Sequence, residues 1–482
     1  MTRALTLSLA VSISLAACGG GTGGGTDGTV PTDVQDTSTG GDGVTVTPGP
    51  RVEPAWQVLY GADENGATYD QEGLKGIGVA GDGTILALAD RRYDDDPYGP
   101  RLLLTRIDPD GTALGVRTLG FGRNTEVQAF GVRPSGDMVL AIEDGTVVEL
   151  DTDGQVAWSV ELNRDPYAFG GLDVASMALD DAGRVYLAGR FNPSEDSGER
   201  GFLIALTTTG EVAWMRSWRH AAFVEDQQVT VGPAGVFVSD QLAGSQEVNR
   251  RFAVFAFDHD GQRLAAKDFA LPGSSEPAFP AISRGTVIAD AAGVTVIGAR
   301  STAVDEDFAV LVYRLALDAT LTPTAQGGTR VPADINLFAR TVVATRGADG
   351  AVRAALRLEA GYLLLRYPDG ALAAEAYDLV RDDGGAPVVV DEDLPLWVTA
   401  GANGATYFGA TATSTGTLAI TPRASVAVGL PLALEDLGDE IFEDTLTADA
   451  VTIEVTVAED SAGETGAARD GDEDLLLFRA PF

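Results

Sequence analysis

Three arginines carry the clearest chemical potential in this sequence. Arg91, Arg190 and Arg300 each follow directly on a short apolar run and open a polar loop. A guanidinium fork can hold a carboxylate, phosphate or sulfated group through two parallel hydrogen bonds. Three such forks on one side of a fold would make a site for a small anionic ligand. The alternative is that each arginine neutralises acids of its own loop, such as Asp94 to Asp96 or Glu195 and Asp196.

The acids gather as well. Asp470, Asp472 and Asp474 stand before an apolar run, as do Asp305, Glu306 and Asp307. Carboxylate oxygens are the ligands Ca2+ prefers, so the C-terminal cluster is a weak candidate metal site, and solvated loop charge is the plainer reading. Asp108-Pro109-Asp110-Gly111 and Asp151-Thr152-Asp153-Gly154 also invite a calcium reading. An EF-hand loop needs further oxygens and a Glu at its twelfth position, and neither follows, so these read as turns. No other cofactor is expected. For catalysis there is no Gly-x-Ser-x-Gly, His-Glu-x-x-His or Gly-x-x-x-x-Gly-Lys pattern. His220 and His259 lie near turns in different units. No catalytic residue is assigned, although channel carboxylates of a hydrolase or lyase remain an alternative.

Composition narrows the classes further. The chain of 482 residues has 33 basic and 71 acidic side chains, for a net charge of -38. Such a surface does not suit a phosphate backbone, so no nucleic-acid partner is expected. A single Cys rules out an intrachain disulfide framework and a Cys-based zinc site. Only Lys75 and Lys267 are lysines, so nearly all positive charge is Arg.

The elements that must position these groups are strands. One phrase recurs, an apolar run ending in a polar turn with Gly and then a second run. It reads Leu102 to Gly111, Thr146 to Gly154, Phe202 to Gly210, Phe252 to Gly261 and Tyr362 to Gly370. Gly83, Gly136, Gly183, Gly235, Gly293, Gly350 and Gly404 mark a partner phrase at intervals of roughly 50 residues. In these turns Asp bonds its own backbone, Pro presets φ and Gly takes positive φ. The runs are short and rich in β-branched and aromatic residues, without helical period.

Four strands per roughly 50 residues, repeated, predict an all-β protein, a single β-propeller of four-stranded blades over residues 53–482. Eight units can be counted, with seven as the alternative. They begin near Lys75, Glu126, Leu172, Asp226, Phe279, Asn336, Leu396 and Ile441. In the eighth, Ala450 to Val457 reads as a second strand and Asp474 to Arg479 as a third, with no fourth. Glu53 to Tyr60 resembles the fourth-strand phrase at Glu211 to Trp214. The N-terminal strand is therefore expected to complete the C-terminal blade. Trp56, Trp158 and Trp214 each follow Ala in a fourth strand, where packing between blades is expected.

Residues 1–18 read as an export signal: Arg3, then an apolar run from Ala4 to Ala17 too short to span a bilayer. Its end, Leu15-Ala16-Ala17-Cys18, resembles the lipobox of bacterial lipoproteins. That resemblance implies lipidation of Cys18 and anchoring by acyl chains. Gly19 in place of Asp implies the outer membrane, facing the periplasm or the surface. Residues 19–52, rich in Gly, Thr, Asp and Pro, read as a flexible tether with a root-mean-square span of roughly 30 Å.

The repeat units resemble the bacterial seven-bladed propeller repeat family (SBBP), best in Asp180 to Gly189 and Gly201 to Gly210. The resemblance implies an extracytoplasmic propeller and little specific chemistry. The expected role is a membrane-anchored binding or scaffold module for a protein, glycan or small anionic ligand. A component of outer-membrane assembly is the further alternative.

Overall fold

In the computed structural model the described residues are Thr45–Val46 and most of 53–480. The larger breaks are 63–69, 94–100, 164–171, 192–198, 244–250, 271–283, 333–340, 382–396, 413–417 and 466–473, with shorter ones between. The export signal, Cys18 and most of the tether lie outside the described residues, as do Asp470, Asp472 and His220.

Six blades follow the chain as antiparallel four-stranded meanders. They span residues 70–120, 127–163, 173–219, 223–270, 284–332 and 341–381. The seventh is composite. It takes Trp397–Ala400 and Thr406–Ala412, then Asp474–Ala480, then the N-terminal strand Trp56–Ala62. Trp56 lies opposite Arg479 and Tyr60 opposite Leu475. The first strand of each blade packs against the first strand of the next, and the series returns from the seventh blade to the first.

The core has the same count. Among the described residues seven apolar clusters are present, one in each gap between adjacent blades. Val185 and Leu187 face the second blade while Tyr186 and Ala188 face the fourth. A strand buried on both faces needs apolar residues at every position, which is why second and third strands read as unbroken apolar runs.

The expectation of eight blades is therefore corrected to seven. The segment taken as an eighth blade is instead a belt. Between the second and third strands of the seventh blade, the chain leaves and travels once around the outside of the ring. It adds a fifth strand to every blade in reverse order. Leu418–Arg423 pairs with the sixth blade, Ser425–Val428 with the fifth and Ala433–Asp436 with the fourth. Ile441–Glu443 joins the third, Thr447–Ala450 the second, Thr456–Glu459 the first and Gly463–Thr465 the seventh. Within the belt, Ile453, Val455 and Val457 pack inward while Thr452, Glu454, Thr456 and Ala458 are exposed. Alternation of this kind reports one covered face and does not say which sheet covers it. Asp474–Ala480 is indeed a third strand, but of the seventh blade.

The turns obey local chemistry. Asp108, Asp151, Asp258 and Asp318 each accept hydrogen bonds from the backbone N–H groups two and four residues on, at 2.7–3.0 Å. Gly111, Gly210 and Gly261 have φ near +80 to +90° and lie under tryptophans of the preceding blade. An added Cβ would meet Trp56, Trp158 or Trp214 at 2.5–2.7 Å. In the fifth blade the equivalent residue is Leu321, with φ of 58°. Left-handed backbone costs a non-Gly residue roughly 1–2 kcal/mol. Leu321 is fully buried against the fourth-blade core, which stabilises by roughly 1.5–3 kcal/mol, so burial prevails.

Candidate functional site

Second strands end, and first strands begin, on the same face of the ring. There polar side chains link neighbouring blades at four junctions and form a partial collar. In the first blade Lys75 lies 3.4 Å from the buried Asp90 and 3.9 Å from Glu126, which enters the second blade. Gln128 of the second blade donates to Asp173 of the third at 3.3 Å, and its carbonyl oxygen accepts from the Val174 N–H at 3.0 Å. Arg190 donates to the other Asp173 oxygen at 2.7 Å and lies 3.7 Å from Glu199. Between the third and fourth blades, Asp240 is fully buried and accepts from Trp218 Nε1 at 2.7 Å and from Gln227 at 3.2 Å. Between the seventh and first blades, the Leu74 N–H donates to Thr411 Oγ1 at 3.0 Å.

The collar holds a ring together and also presents groups outward. Buried carboxylates persist because their oxygens are hydrogen-bonded. Arg190 and Asp173 remain 40% and 47% exposed at their side chains, so both can meet a ligand on this face.

The three sequence-predicted arginines lie at this end of second strands, opposite Arg101, Gly201 and Leu311, but in register Arg91 and Arg300 match Phe191 of the third blade, and Arg190 sits one residue earlier. They belong to the first, third and fifth blades, so the ring spaces them apart instead of clustering them. Arg190 is committed to Asp173 and Glu199, while Glu195 and Asp196 lie outside the described residues. Arg300 stands over the Tyr313 ring at 6.0 Å, a cation–π arrangement. The Arg91 side chain and Asp94 to Asp96 lie outside the described residues. So does the side chain of Asp474, whose backbone opens a strand.

Sequence reasoning missed Gln128, Asp173, Gln227 and Asp240. A signal was present for two acids: Asp90 follows the apolar run Ile85–Ala89, and Asp240 follows Val236–Val238 and Ser239.

The opposite face carries the turns, and there arginine acts as a clamp between blades. Arg133 binds Glu149 at 2.6 Å and the Gly183 carbonyl oxygen of the next blade at 2.6 Å. Arg184 binds Asp180 at 2.7 Å and reaches the His259 carbonyl oxygen at 3.2 Å. Arg216 donates to the Gly261 carbonyl oxygen at 2.7 Å, and Arg314 to that of Ala371. Arg346 donates to Asp290 at 3.0 Å and to Thr295 at 2.6 Å. A planar fork can serve a carboxylate and a carbonyl at once in one rigid geometry, which the flexible lysine ammonium does not fix. These clamps give Arg133, Arg184, Arg216, Arg314 and Arg346 a structural role in a chain with two lysines.

His259 belongs to this face. Its Nδ1 lies 3.4 Å from the Tyr186 hydroxyl, which donates to Asp180 at 3.2 Å. Burial alone would push the Asp180 carboxyl up, but the Arg184 N–H, its guanidinium and the Tyr186 hydroxyl together hold it below the usual carboxylate range. Burial, reinforced by Asp180, pushes the Tyr186 hydroxyl far up. Asp180 thus stabilises the fold as an anion. A depressed folded-state pKa gives stability that is complete above the unfolded value of about 3.9 and is lost as pH falls through the folded value. Asp180→Asn is expected to lower Tm at pH 6–7 by a few degrees. The gap should close as pH falls below about 4, because the native carboxyl also becomes neutral. Thermal melts of both proteins from pH 7 to 3 check this, and a constant gap would refute the assignment.

No protein-family model and no curated protein sequence matches the chain. Several solved structures align with it at low similarity. The Dos1 propeller aligns with a TM-score of 0.38 and 10% identity, covering 81% of this chain and 96% of that one. The Pan2 WD40 domain of Neurospora crassa gives 0.38 and 9%, covering 74% and 89%. A subtype N11 neuraminidase-like protein of an influenza A virus from a Peruvian flat-faced bat gives 0.38 and 10%, covering 82% and 99%.

Proposed function

We propose that this chain is an extracytoplasmic binding module, a seven-bladed propeller related to the bacterial SBBP repeats and tethered to the outer membrane through lipidated Cys18. The observation that carries the binding role is the collar. It places the partly exposed Arg190 and Asp173 of the third blade at one end of a closed, clamped ring, beside Gln128 of the second, where a ligand can contact two blades at once. A mixed collar of this kind suits a polar partner, a protein loop or glycan bearing a carboxylate, with Arg190 exchanging Asp173 or Glu199 for the incoming anion. The lipobox-like Leu15-Ala16-Ala17-Cys18 and the tether support the address.

Crosslinking and affinity capture from native membranes test both parts. The wild-type protein is expected in the membrane fraction, labelled by radioactive palmitate, and bound to a partner that Arg190→Ala releases. Cys18→Ala should be soluble and unlabelled yet still bind the partner. Palmitate labelling unaffected by Cys18→Ala would refute the anchor, and capture unchanged by Arg190→Ala would refute the collar as the binding surface.

A further inference from the structure

The belt that closes the outer rim is itself a row of strand edges. Its seven strands are the outermost of their blades, and among the described residues only one has a neighbour outside it. That one is Ser425–Val428 on the fifth blade, where Thr45–Val46 adds a sixth strand, Thr45 opposite Val426 and Val46 opposite Ser425. The rim therefore accepts an added strand at one place, supplied by the chain itself.

Charge distinguishes that place from the others. Ser425–Val428 has no charged side chain. The belt strands on the fourth, third, second, first and seventh blades each carry acid: Glu435 and Asp436, Glu443, Asp449, Glu459 and Glu464. From 424 to 465 the sequence has eleven acids and neither Lys nor Arg. Glu435, Asp436, Asp449 and Glu454 are exposed. The segment around Thr45 has no basic residue between Arg3 and Arg51, so it suits the neutral edge and is repelled by the acidic ones. A second copy of this chain meets the same repulsion, since its rim bears the same charge.

We infer that the acidic part of the belt is a docking edge for an extended, Lys- and Arg-bearing segment of another protein, bound by strand addition. Backbone hydrogen bonds to the open edge would supply the register, and basic side chains beside Glu435, Asp449 and Glu454 would supply selectivity. The surface lies on the rim, away from the channel mouth, so it stands or falls independently of the collar.

The test uses labelled nine-residue peptides and the folded protein in fluorescence anisotropy. One peptide alternates Val with Lys or Arg. A second keeps its charges but replaces alternate Val by Pro, which removes backbone donors. A third replaces every basic residue by Glu. The first is expected to bind at least 10-fold more tightly than the second, the third not to bind, and affinity to fall as salt rises from 50 to 300 mM. The double variant Glu435→Lys, Glu454→Lys alters two exposed side chains and should weaken the first peptide at least 5-fold without changing Tm. Equal binding of the first two peptides would overturn the inference, because charge alone would then explain it. Failure of the basic peptide to bind at 50 mM salt would overturn it as well.

Discussion

Deleting residues 53–61 is expected to abolish the cooperative thermal transition of the ring. The strand Trp56–Ala62 sits between Asp474–Ala480 and the belt strand Gly463–Thr465, so its loss splits the seventh blade. Trp56 covers Gly111 of the first blade, donates to the Pro109 carbonyl oxygen at 3.0 Å and stacks on Tyr407 at 5.8 Å. Gln57 accepts from the Leu418 N–H at 2.8 Å, at the point where the belt begins. Removing a fully buried Trp costs roughly 3–5 kcal/mol; Trp56 is partly buried, and Val58 and a row of ladder bonds are lost with it. That approaches the roughly 5–15 kcal/mol of a whole domain. Calorimetry should show a broad, weak transition, and gel filtration an expanded or associated species. Trp56→Phe, which keeps packing but loses the N–H, should melt cooperatively only a few degrees lower. A truncated protein melting like the full chain would show that closure does not depend on this strand.

The belt carries the second large effect. Ala412 lies directly opposite Asp474, so a two-residue turn can replace 413–473 and leave all seven four-stranded blades intact. The belt buries Leu418, Ile420, Leu437 and Leu446 to under a tenth exposure. At roughly 1.5–3 kcal/mol for each such side chain, the loss is roughly 6–12 kcal/mol. Anchors go too, among them Arg423 on the Pro332 carbonyl oxygen and Asp378, Arg263 on the Leu437 carbonyl oxygen, and Lys267 on Asp436. Seven fourth strands would then be open edges, which pair readily between molecules. The expected result is a Tm lower by about 10–20 °C together with concentration-dependent aggregation in light scattering. A belt-less protein that stayed monomeric at unchanged Tm would mean the belt adds no stability.

Much of this architecture is legible in the sequence because its causes are local. An Asp, or in the third blade Thr207, that bonds the N–H groups two and four residues on, followed by Gly at positive φ, fits in five residues. Gly111, Gly154, Gly210 and Gly261 therefore announced their turns. Trp56, Trp158 and Trp214 share a place because the next blade offers each a Gly, and Trp158 also donates to the Glu149 carboxylate of its own blade at 2.8 Å. The pairing of Trp56–Ala62 with Asp474–Ala480 followed from a shared phrase. The collar was less visible. Arg190 stood out as a cation, but its partner Asp173 is an ordinary acid at a strand start, and Gln128, which completes the pair, belongs to another blade.

Strands, turns and the repeat are properties of a few neighbouring residues, so the sequence by itself determined an all-β ring of similar units. It could not determine the number of units or the path of residues 418–465. Those belt strands are three to six residues long, and their partners lie up to hundreds of positions away, as Thr456 does from Gly120. Alternation says only that one face is covered. Which sheet covers it was decided by closure. Seven blades with seven apolar gaps complete the ring, and the remaining segment pairs where backbone groups are still open, along the outer edges.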